Sequence, residues 1–110
     1  MLKVGFSSKV DFSALLHEGD VVSWPQGAGE PLGLTQRLVA QRHDLPRAEL
    51  FFGMSSSKTL APEHADKFRM RGLNGVGNNR VLAAANVMDI IPCHVSAVPG
   101  LIRSRAIRVD

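Results

Sequence analysis

The sequence lacks several features that would assign it to a specialised class of protein. A single cysteine, Cys93, excludes an internal disulfide and fits the reducing environment of the cytoplasm. No run of about eighteen apolar residues occurs, so no transmembrane helix is predicted. Residues 1–10 do not contain the apolar core of a secretory signal peptide, and no repeat or low-complexity stretch is present. These absences favour an ordinary globular domain with a cytoplasmic location.

The composition fits one small domain covering residues 1–110, with 45% hydrophobic and 21% charged residues. The net charge of +3 raises the question of nucleic-acid binding, but the basic residues are scattered. Their closest groups, Lys67-Arg69-Arg71 and Arg103-Arg105-Arg108, alternate with apolar residues at strand spacing, which is typical of a solvated face. We therefore expect no nucleic-acid partner, whereas a diffuse positive field suits an anionic ligand.

A glycine turn between a strand and a helix is the most informative local pattern. Asp20–Trp24 is rich in β-branched and aromatic residues and predicts a strand. Gly27 and Gly29 permit a tight turn, and Pro31 suits the first position of a helix. Backbone N–H groups at such a turn can receive a phosphate, a carboxylate or an oxyanion. The alternative is a plain tight turn whose glycines serve geometry alone.

A second strand and a serine loop follow the first helix. The apolar pattern predicts a helix from Pro31 to about Asp44, because Pro46 disfavours helix at the residue before it. Ala48–Met54 has an unbroken apolar centre, which predicts a parallel strand covered on both faces. The polar loop Ser55–Lys58 begins at the carboxyl end of that strand, where ligands gather in open α/β sheets. We expect it to lie beside the glycine turn.

The rest of the chain predicts shorter elements. A glycine-rich loop over residues 72–78 precedes a helix that is apolar nearly all round and is expected to be buried. The chain stops within an apparent strand, which suggests a piece of a longer protein. In order, these elements are a helix Phe12–His17 capped by Asp11, a helical turn Ala61–Ala65, an exposed or edge strand Lys67–Arg71, a helix from Asn78 or Asn79 to Met88, a strand Asp89–Pro92, a helix Ser96–Ile102 and a half-strand Ala106–Asp110.

The chain contains two groups of potentially reactive residues. Cys93 and His94 are adjacent, so their side chains point apart and cannot act as a nucleophile–base pair. A buried, inert Cys93 is expected, while His94 at a strand end either faces a ligand or is structural. Residues 63–66 contain a glutamate, a histidine and an aspartate too close together for a standard metal site. We interpret them as surface charges and predict no metal.

The spacing of Gly27, Gly29 and Gly33 also matches a dinucleotide-binding fingerprint. No acidic residue ends the next strand to hold a ribose, although Ser55–Lys58 is suited to the 2′-phosphate of NADP. Pro31 within the fingerprint counts against this interpretation. A small phosphate- or NADP-binding module without enzymatic activity remains the alternative function.

Several segments together resemble one family. They are D-V-V-S-W-P-Q-G-A-G-E-P-L, Phe68 before the glycine loop, Asn79-Arg80 opening an alanine-rich helix, D-I-I-P-C-H-V-S-A-V-P-G-L-I and the closing I-R-V-D. From about Gly19 to Asp110 the chain resembles the N-terminal part of the acetyl-CoA hydrolase/transferase family, which includes acetate and 4-hydroxybutyrate CoA-transferases. Pro92-Cys93-His94-Val95-Ser96 with Val98-Pro99 is the most specific part of this resemblance.

The resemblance implies an open, mainly parallel α/β sheet with flanking helices, in which this domain faces a second one. The family moves CoA between carboxylates through a glutamate in its C-terminal half, so this chain is expected to hold no catalytic residue. The implied substrates are an acyl-CoA and a small carboxylate, with no tightly bound cofactor. A homo-oligomer, or pairing through an open sheet edge, is expected. The residues expected to line the substrate cleft are Gly27, Ala28, Gly29, Glu30, Pro31, Ser55, Ser56, Pro92, His94 and Ser96.

Overall fold

A computed structural model describes residues 9–110, and most of the N-terminal segment 1–10, which is predicted not to be a signal peptide, lies outside the described residues. The described residues form a four-stranded sheet flanked by three short helices, with single 3-10 turns in several connections. No helix in this range is long and apolar enough to cross a membrane. The elements are β1 (Val21–Trp24), α1 (Leu32–Ala40), β2 (Ala48–Phe52), β3 (Phe68–Gly72), α2 (Asn79–Ala84), β4 (Met88–Ile90) and α3 (Val98–Arg103).

The sheet is entirely parallel, and its strand order β1-β2-β3-β4 is the order of the chain. Val21 pairs with Glu49 at one side, and Met70 pairs with Met88 at the other. Parallel strands require crossover connections, which here run through α1, a 3-10 turn at Pro62–Asp66 and α2. The expected open, parallel α/β sheet is therefore confirmed. All four strands end at the same edge, which we call the carboxyl edge.

The first face of the sheet carries most of the core. The Trp24 and Phe52 rings stack with centroids 5.6 Å apart and planes inclined by 5°. Leu38 of α1 and Leu82 of α2 are each 2% exposed and cover this face. Burying such side chains contributes roughly 1.5–3 kcal/mol each. The other buried members of this cluster are Leu45, Ala48, Leu50, Leu60, Phe68, Met70 and Met88.

The second face is covered only over part of its area. Val21, Phe51 and Ile107 form a small buried cluster, against which residues of α3 pack. Farther across the sheet, the side chains on this face are charged and partly exposed: Arg71 contacts Glu49 at 2.8 Å, and an Arg69–Asp89 pair lies at 3.5 Å. We expected both faces of β2 to be covered. On this second face, apolar side chains cover the carboxyl end of β2, whereas ion pairs surround its start.

The prediction that Lys67–Arg71 forms an exposed or edge strand is wrong in position. β3 lies between β2 and β4, and both Phe68 and Met70 are 1% exposed. The alternation that suggested an edge arises because Arg69 and Arg71 occupy the face where charged side chains pair across the strands. The alternation of charged and apolar residues along β3 therefore indicates which face of the sheet is solvated. It does not indicate which strand lies at the edge.

The helix predicted from Asn79 to Met88 is shorter and more exposed than expected. α2 ends at Ala84, and Asn86 adopts a left-handed conformation with φ of 57°, which turns the chain into β4. Val81 is 52% exposed, so the prediction of burial all round is wrong. The prediction assigned Val87 and Met88 to the helix, but Val87 leads into β4 and Met88 is its first residue.

Both ends of the described range also differ from expectation. Asp11 caps Ser13 as predicted, but the helix expected over Phe12–His17 is only a 3-10 turn at Phe12–Ala14. Residues 106–110 form no strand. The Asp110 N–H nevertheless donates to the Val21 carbonyl at 2.9 Å, which attaches this segment to the free side of β1.

Candidate functional site

The loop after β1 is fixed to the loop after β2. Residues 27–29 form a single 3-10 turn, and Pro31 is the N-cap of α1, one position before the predicted N1. Gly27, with φ of 59°, donates its N–H to the Met54 carbonyl at 2.8 Å. A Cβ on Gly53 would lie 2.7 Å from the Gln26 Cβ, so glycine is needed for this close approach. The expected contact between glycine turn and serine loop is present.

The loop after β3 joins the same cluster. Ser55 forms a parallel bridge with Gly77, and the Asn78 N–H donates to the Ser55 carbonyl at 2.8 Å. The Asn78 side-chain amide donates to the Ser57 carbonyl. Gly77 has φ of 64°, and a Cβ there would lie 2.6 Å from the Ser55 oxygen. We refer to residues 25–31, 53–59 and 73–79 together as the interlocked loops.

Asn79 is the buried link within the interlocked loops. Its side chain is completely buried, and its Nδ2 donates to the Gly53 carbonyl at 2.9 Å and to the Asn74 carbonyl at 3.1 Å. Because both partners are carbonyl oxygens, the amide nitrogen must face them. The sequence predicted that Asn78 or Asn79 begins and caps this helix, but Asn78 is the N-cap and no side-chain cap bond forms. Asn79 instead connects the second and third loops.

The Glu30 carboxylate is surrounded by hydroxyl groups. Thr35 of α1 donates to Oε2 at 2.8 Å, Thr59 donates to Oε2 at 3.0 Å, and Ser57 donates to Oε1 at 2.9 Å. Glu30 is half-buried. Three hydroxyl donors satisfy both oxygens and fasten the glycine turn to the serine loop. The carboxylate therefore serves as a structural anion whose partners are hydroxyl groups and not backbone N–H groups.

Few backbone donors of the glycine turn point to open space. The Gly27, Gly29 and Glu30 N–H groups all donate to carbonyl oxygens of residues 26–54. The Ala28 N–H has no acceptor among residues 9–110, and Ala28 itself is exposed. An oxyanion placed at this turn would find the Ala28 N–H as its available donor.

The residues expected from the fourth loop stand apart from this cluster. Residues 91–97, which we call the histidine loop, follow β4 and leave Pro92, His94 and Ser96 exposed. The His94 Nδ1 accepts the Ser96 N–H at 3.2 Å and lies 2.8 Å from the Ser96 Oγ. These bonds cap a 3-10 turn locally. None of the three residues bonds to the interlocked loops, and Cys93 is half-buried and not fully buried as expected.

A cleft of about 290 Å³ separates the two groups at the carboxyl edge. Gln26 and Gly53 border it from the interlocked loops, and Val95 borders it from the histidine loop. Its remaining surface is mainly apolar and comes from Ser23, Trp24, Pro25, Phe51, Phe52, Leu73, Val98 and Ile102. None of the ten cleft residues predicted from sequence lines this cleft itself; they lie in the loops that contribute Gln26, Gly53 and Val95 to its lining. Ser56 is exposed and makes no side-chain hydrogen bond within residues 9–110.

His64 was interpreted as a surface charge, and the structure corrects this. Its ring is buried, and its Nδ1 accepts the Ala61 N–H at 3.0 Å at the start of a 3-10 turn. Burial lowers the pKa of His64 below its ordinary value, and the Arg42 charge adds to this effect. Across residues 9–110, no three His, Cys, Asp or Glu side chains are grouped so that they could hold a metal ion.

Several contributors to the interlocked loops, Ser57 among them, were not among the cleft residues predicted from sequence. Thr35, Thr59, Asn78 and Asn79 have no local pattern that distinguishes them from ordinary polar residues. The available signal was the hydroxyl-rich stretch Ser55–Thr59, which follows a strand adjacent to the turn bearing Glu30.

Comparison of the chain with protein-family models, with curated proteins and with solved structures finds no match in any of the three.

Proposed function

We propose that this chain forms one side of the acyl-CoA-binding cleft of a CoA-transferase or acyl-CoA hydrolase, and that the nucleophilic glutamate is supplied from outside residues 1–110. The single observation that supports this is the cleft of about 290 Å³ at the carboxyl edge of a parallel sheet. Ligands of open α/β folds bind at that edge. The segments that carry the family resemblance, residues 20–32 and 89–102, border the cleft from opposite sides.

The cleft surface suits a thioester. Trp24, Phe51 and Leu73 provide apolar contact for an acyl chain or the pantetheine arm of CoA. In this proposal the thioester carbonyl accepts from the Ala28 N–H, which has no acceptor within residues 9–110 and lies two residues beyond Gln26, a residue that lines the cleft. His94 and Ser96 are exposed and flank Val95, which lines the cleft, and in this proposal they contact the carboxylate substrate.

Glu30 does not fit the role of nucleophile. Both of its oxygens accept hydroxyl hydrogen bonds, and attack on an acyl group would require at least one oxygen to leave them. Its function in this proposal is to hold the turn carrying Ala28 in position. The proposal therefore takes the attacking carboxylate from outside residues 1–110, as the family resemblance implies.

A dinucleotide-binding module has less support. In the dinucleotide-binding fold the fourth strand lies beside the first, whereas here β4 extends the sheet beyond β3. The Glu30 carboxylate also lies at the turn where the fingerprint would place a pyrophosphate, and two anions at that position repel.

The proposal is tested by titrating the ¹⁵N-labelled chain with acetyl-CoA, CoA and NADPH at millimolar concentrations. We expect acetyl-CoA to shift the amides of residues 26–30 and 93–96, on the two sides of the cleft. A response to NADPH alone, or no response to acetyl-CoA in either segment, would overturn the assignment.

Activity provides a separate test of the missing nucleophile. The chain incubated with acetyl-CoA and a labelled carboxylate is expected to transfer no CoA. Transfer above the level without protein would place the nucleophile within residues 1–110 and contradict this part of the proposal.

A further inference from the structure

Three arginines surround one small cavity beside α3. Arg103, Arg105 and Arg108 line a space of about 210 Å³, together with Asp110. Their sequence spacing suggested a strand with a solvated basic face. The structure contains no strand there, and the turn that replaces it brings the three side chains around a common space.

The backbone that presents these arginines is held in place at several points. Arg105 adopts a left-handed conformation with φ of 63°, and its N–H donates to the Ile102 carbonyl at 3.1 Å. Two residues later, Ile107 is 3% exposed, and its N–H donates to the Leu101 carbonyl at 3.0 Å. A non-glycine residue with positive φ is stable only where its surroundings fix it. The backbone that carries the three arginines is therefore held by these hydrogen bonds and by the burial of Ile107.

The cavity has more positive than negative charge. Arg108 donates from Nε and Nη2 to the Asp110 carboxylate, at 3.1 and 3.0 Å. The pKa of Asp110 lies below its ordinary value because the Val21 N–H and the Arg108 side chain donate to its carboxylate. Arg103 and Arg105 form no ion pair within residues 9–110. Asp110 is thus the one acidic residue among the three arginines that line the cavity, and its carboxylate is bonded to Arg108 and not to Arg103 or Arg105.

We propose that this arginine cavity binds the phosphate groups of an extended ligand whose apolar end occupies the cleft at the carboxyl edge. Ile102 lines both spaces, so they adjoin through one side chain. Guanidinium groups bind phosphate oxygens through paired, charge-assisted hydrogen bonds. The identification of these phosphates as those of CoA rests on the proposed function. The proposal that the cavity binds phosphate groups does not depend on that identification.

The first experiment uses inorganic pyrophosphate as the probe. In a ¹⁵N titration at low salt, pyrophosphate is expected to shift the amides of residues 103–108 and to leave those of residues 26–30 unchanged. Added salt should weaken the response, because the interaction is between exposed charges. Shift changes spread evenly over the basic residues, or no shift change at residues 103–108, would overturn the proposal. This experiment uses the wild-type chain alone.

Variants sharpen the assignment. Calorimetry on the double variant Arg103→Gln, Arg105→Gln is expected to show pyrophosphate binding weakened by roughly tenfold or more, whereas Lys at both positions retains most of it. Arg80→Gln removes one exposed arginine of α2 that does not line the cavity and is the control for losing a positive charge elsewhere, with no expected change. If the glutamine double variant and the control bind pyrophosphate with equal affinity, the arginine cavity is not the pyrophosphate site.

The same proteins separate this inference from the proposed function. If pyrophosphate binds at residues 103–108 but acetyl-CoA does not bind the chain, the phosphate site stands and the CoA assignment fails. If acetyl-CoA binds equally well to wild type and to the glutamine double variant, the cleft stands and the arginine cavity is not its phosphate site.

Discussion

The two sides of the cleft are constructed differently. The interlocked loops are connected to one another across three strand ends by backbone and side-chain hydrogen bonds, with Glu30 and Asn79 at their centres. The histidine loop makes its side-chain bonds only within itself, between His94 and Ser96. One side of the cleft is thus rigidly defined by long-range contacts, and the other by a local turn.

This difference in construction suits one side of the cleft to positioning a ligand and the other side to adjusting to it. Loops with few long-range contacts open at low free-energy cost, whereas loops tied into the core open only with larger unfolding. In the proposed enzyme, the interlocked side fixes where the thioester lies. The histidine loop can adjust to the acyl group and the incoming carboxylate. The variants below test whether the contrast exists in solution.

The largest effect is expected at Asn79. Asn79→Ala removes both donors to buried carbonyl oxygens and leaves a small cavity, so the free energy of unfolding should fall by about 2–4 kcal/mol. Urea denaturation measures this change. Arg80→Ala, an exposed position on the same helix, is the control and should change stability by less than about 0.5 kcal/mol. Equal losses in the two variants would show that the interlocked loops do not depend on Asn79.

A smaller loss is expected at Glu30. Glu30→Ala leaves three half-buried or buried hydroxyls without their acceptor and should cost about 1–2 kcal/mol. Glu30→Gln keeps one oxygen acceptor and should cost less. Gln36→Ala on the exposed side of α1 serves as the matched control. The hydroxyl contacts would be unimportant if the Glu30→Ala and Gln36→Ala proteins unfolded at the same urea concentration.

A modest pH dependence is expected from His64. Its folded pKa is lowered by burial, so the unfolded chain binds the proton more readily, and stability falls as pH drops below the ordinary value of 6.5. Melting temperatures measured between about pH 7 and 5.5 should decrease in the wild type. His64→Asn retains an acceptor for the Ala61 N–H but cannot titrate. Parallel pH profiles for the two proteins would contradict this assignment.

The smallest effect on stability is expected at His94. His94→Ala removes one exposed cap of a single 3-10 turn, for a loss of about 0.5 kcal/mol or less. In hydrogen exchange, amides of residues 94–97 should exchange faster than those of residues 77–79 in wild type and variant alike. Slow exchange in the histidine loop would remove the contrast between the two sides.

Sequence reasoning found the parts of the fold that local patterns encode. The glycine turn, the apolar strand β2 and the meeting of their loops were predicted because turn residues and a continuous apolar run are local signals. The exposed Val81 and the central position of β3 were missed. Burial of a helix and order in a sheet depend on which elements pack against them, and periodicity does not contain that information.

The sequence indicated which strand ends carry polar loops, but not which side chains meet there or which residues line the cleft. Glu30 and Ser55 were identified because they follow strand ends. The partners Thr35 and Thr59 come from different elements and meet only after the crossover has formed. The arginines were visible as a group, but the positive φ of Arg105 that gathers them has no signature in the residue types. Side chains that converge across long sequence separations need the structure.

The sequential strand order bears on how the chain folds. Each strand pairs with its neighbour in sequence, and paired residues lie roughly 18–28 positions apart. No strand must wait for a later one to be inserted between it and its partner. The sheet can therefore grow one strand at a time from β1 as the polypeptide is synthesised, and each added strand completes another pair of adjoining loops at the carboxyl edge.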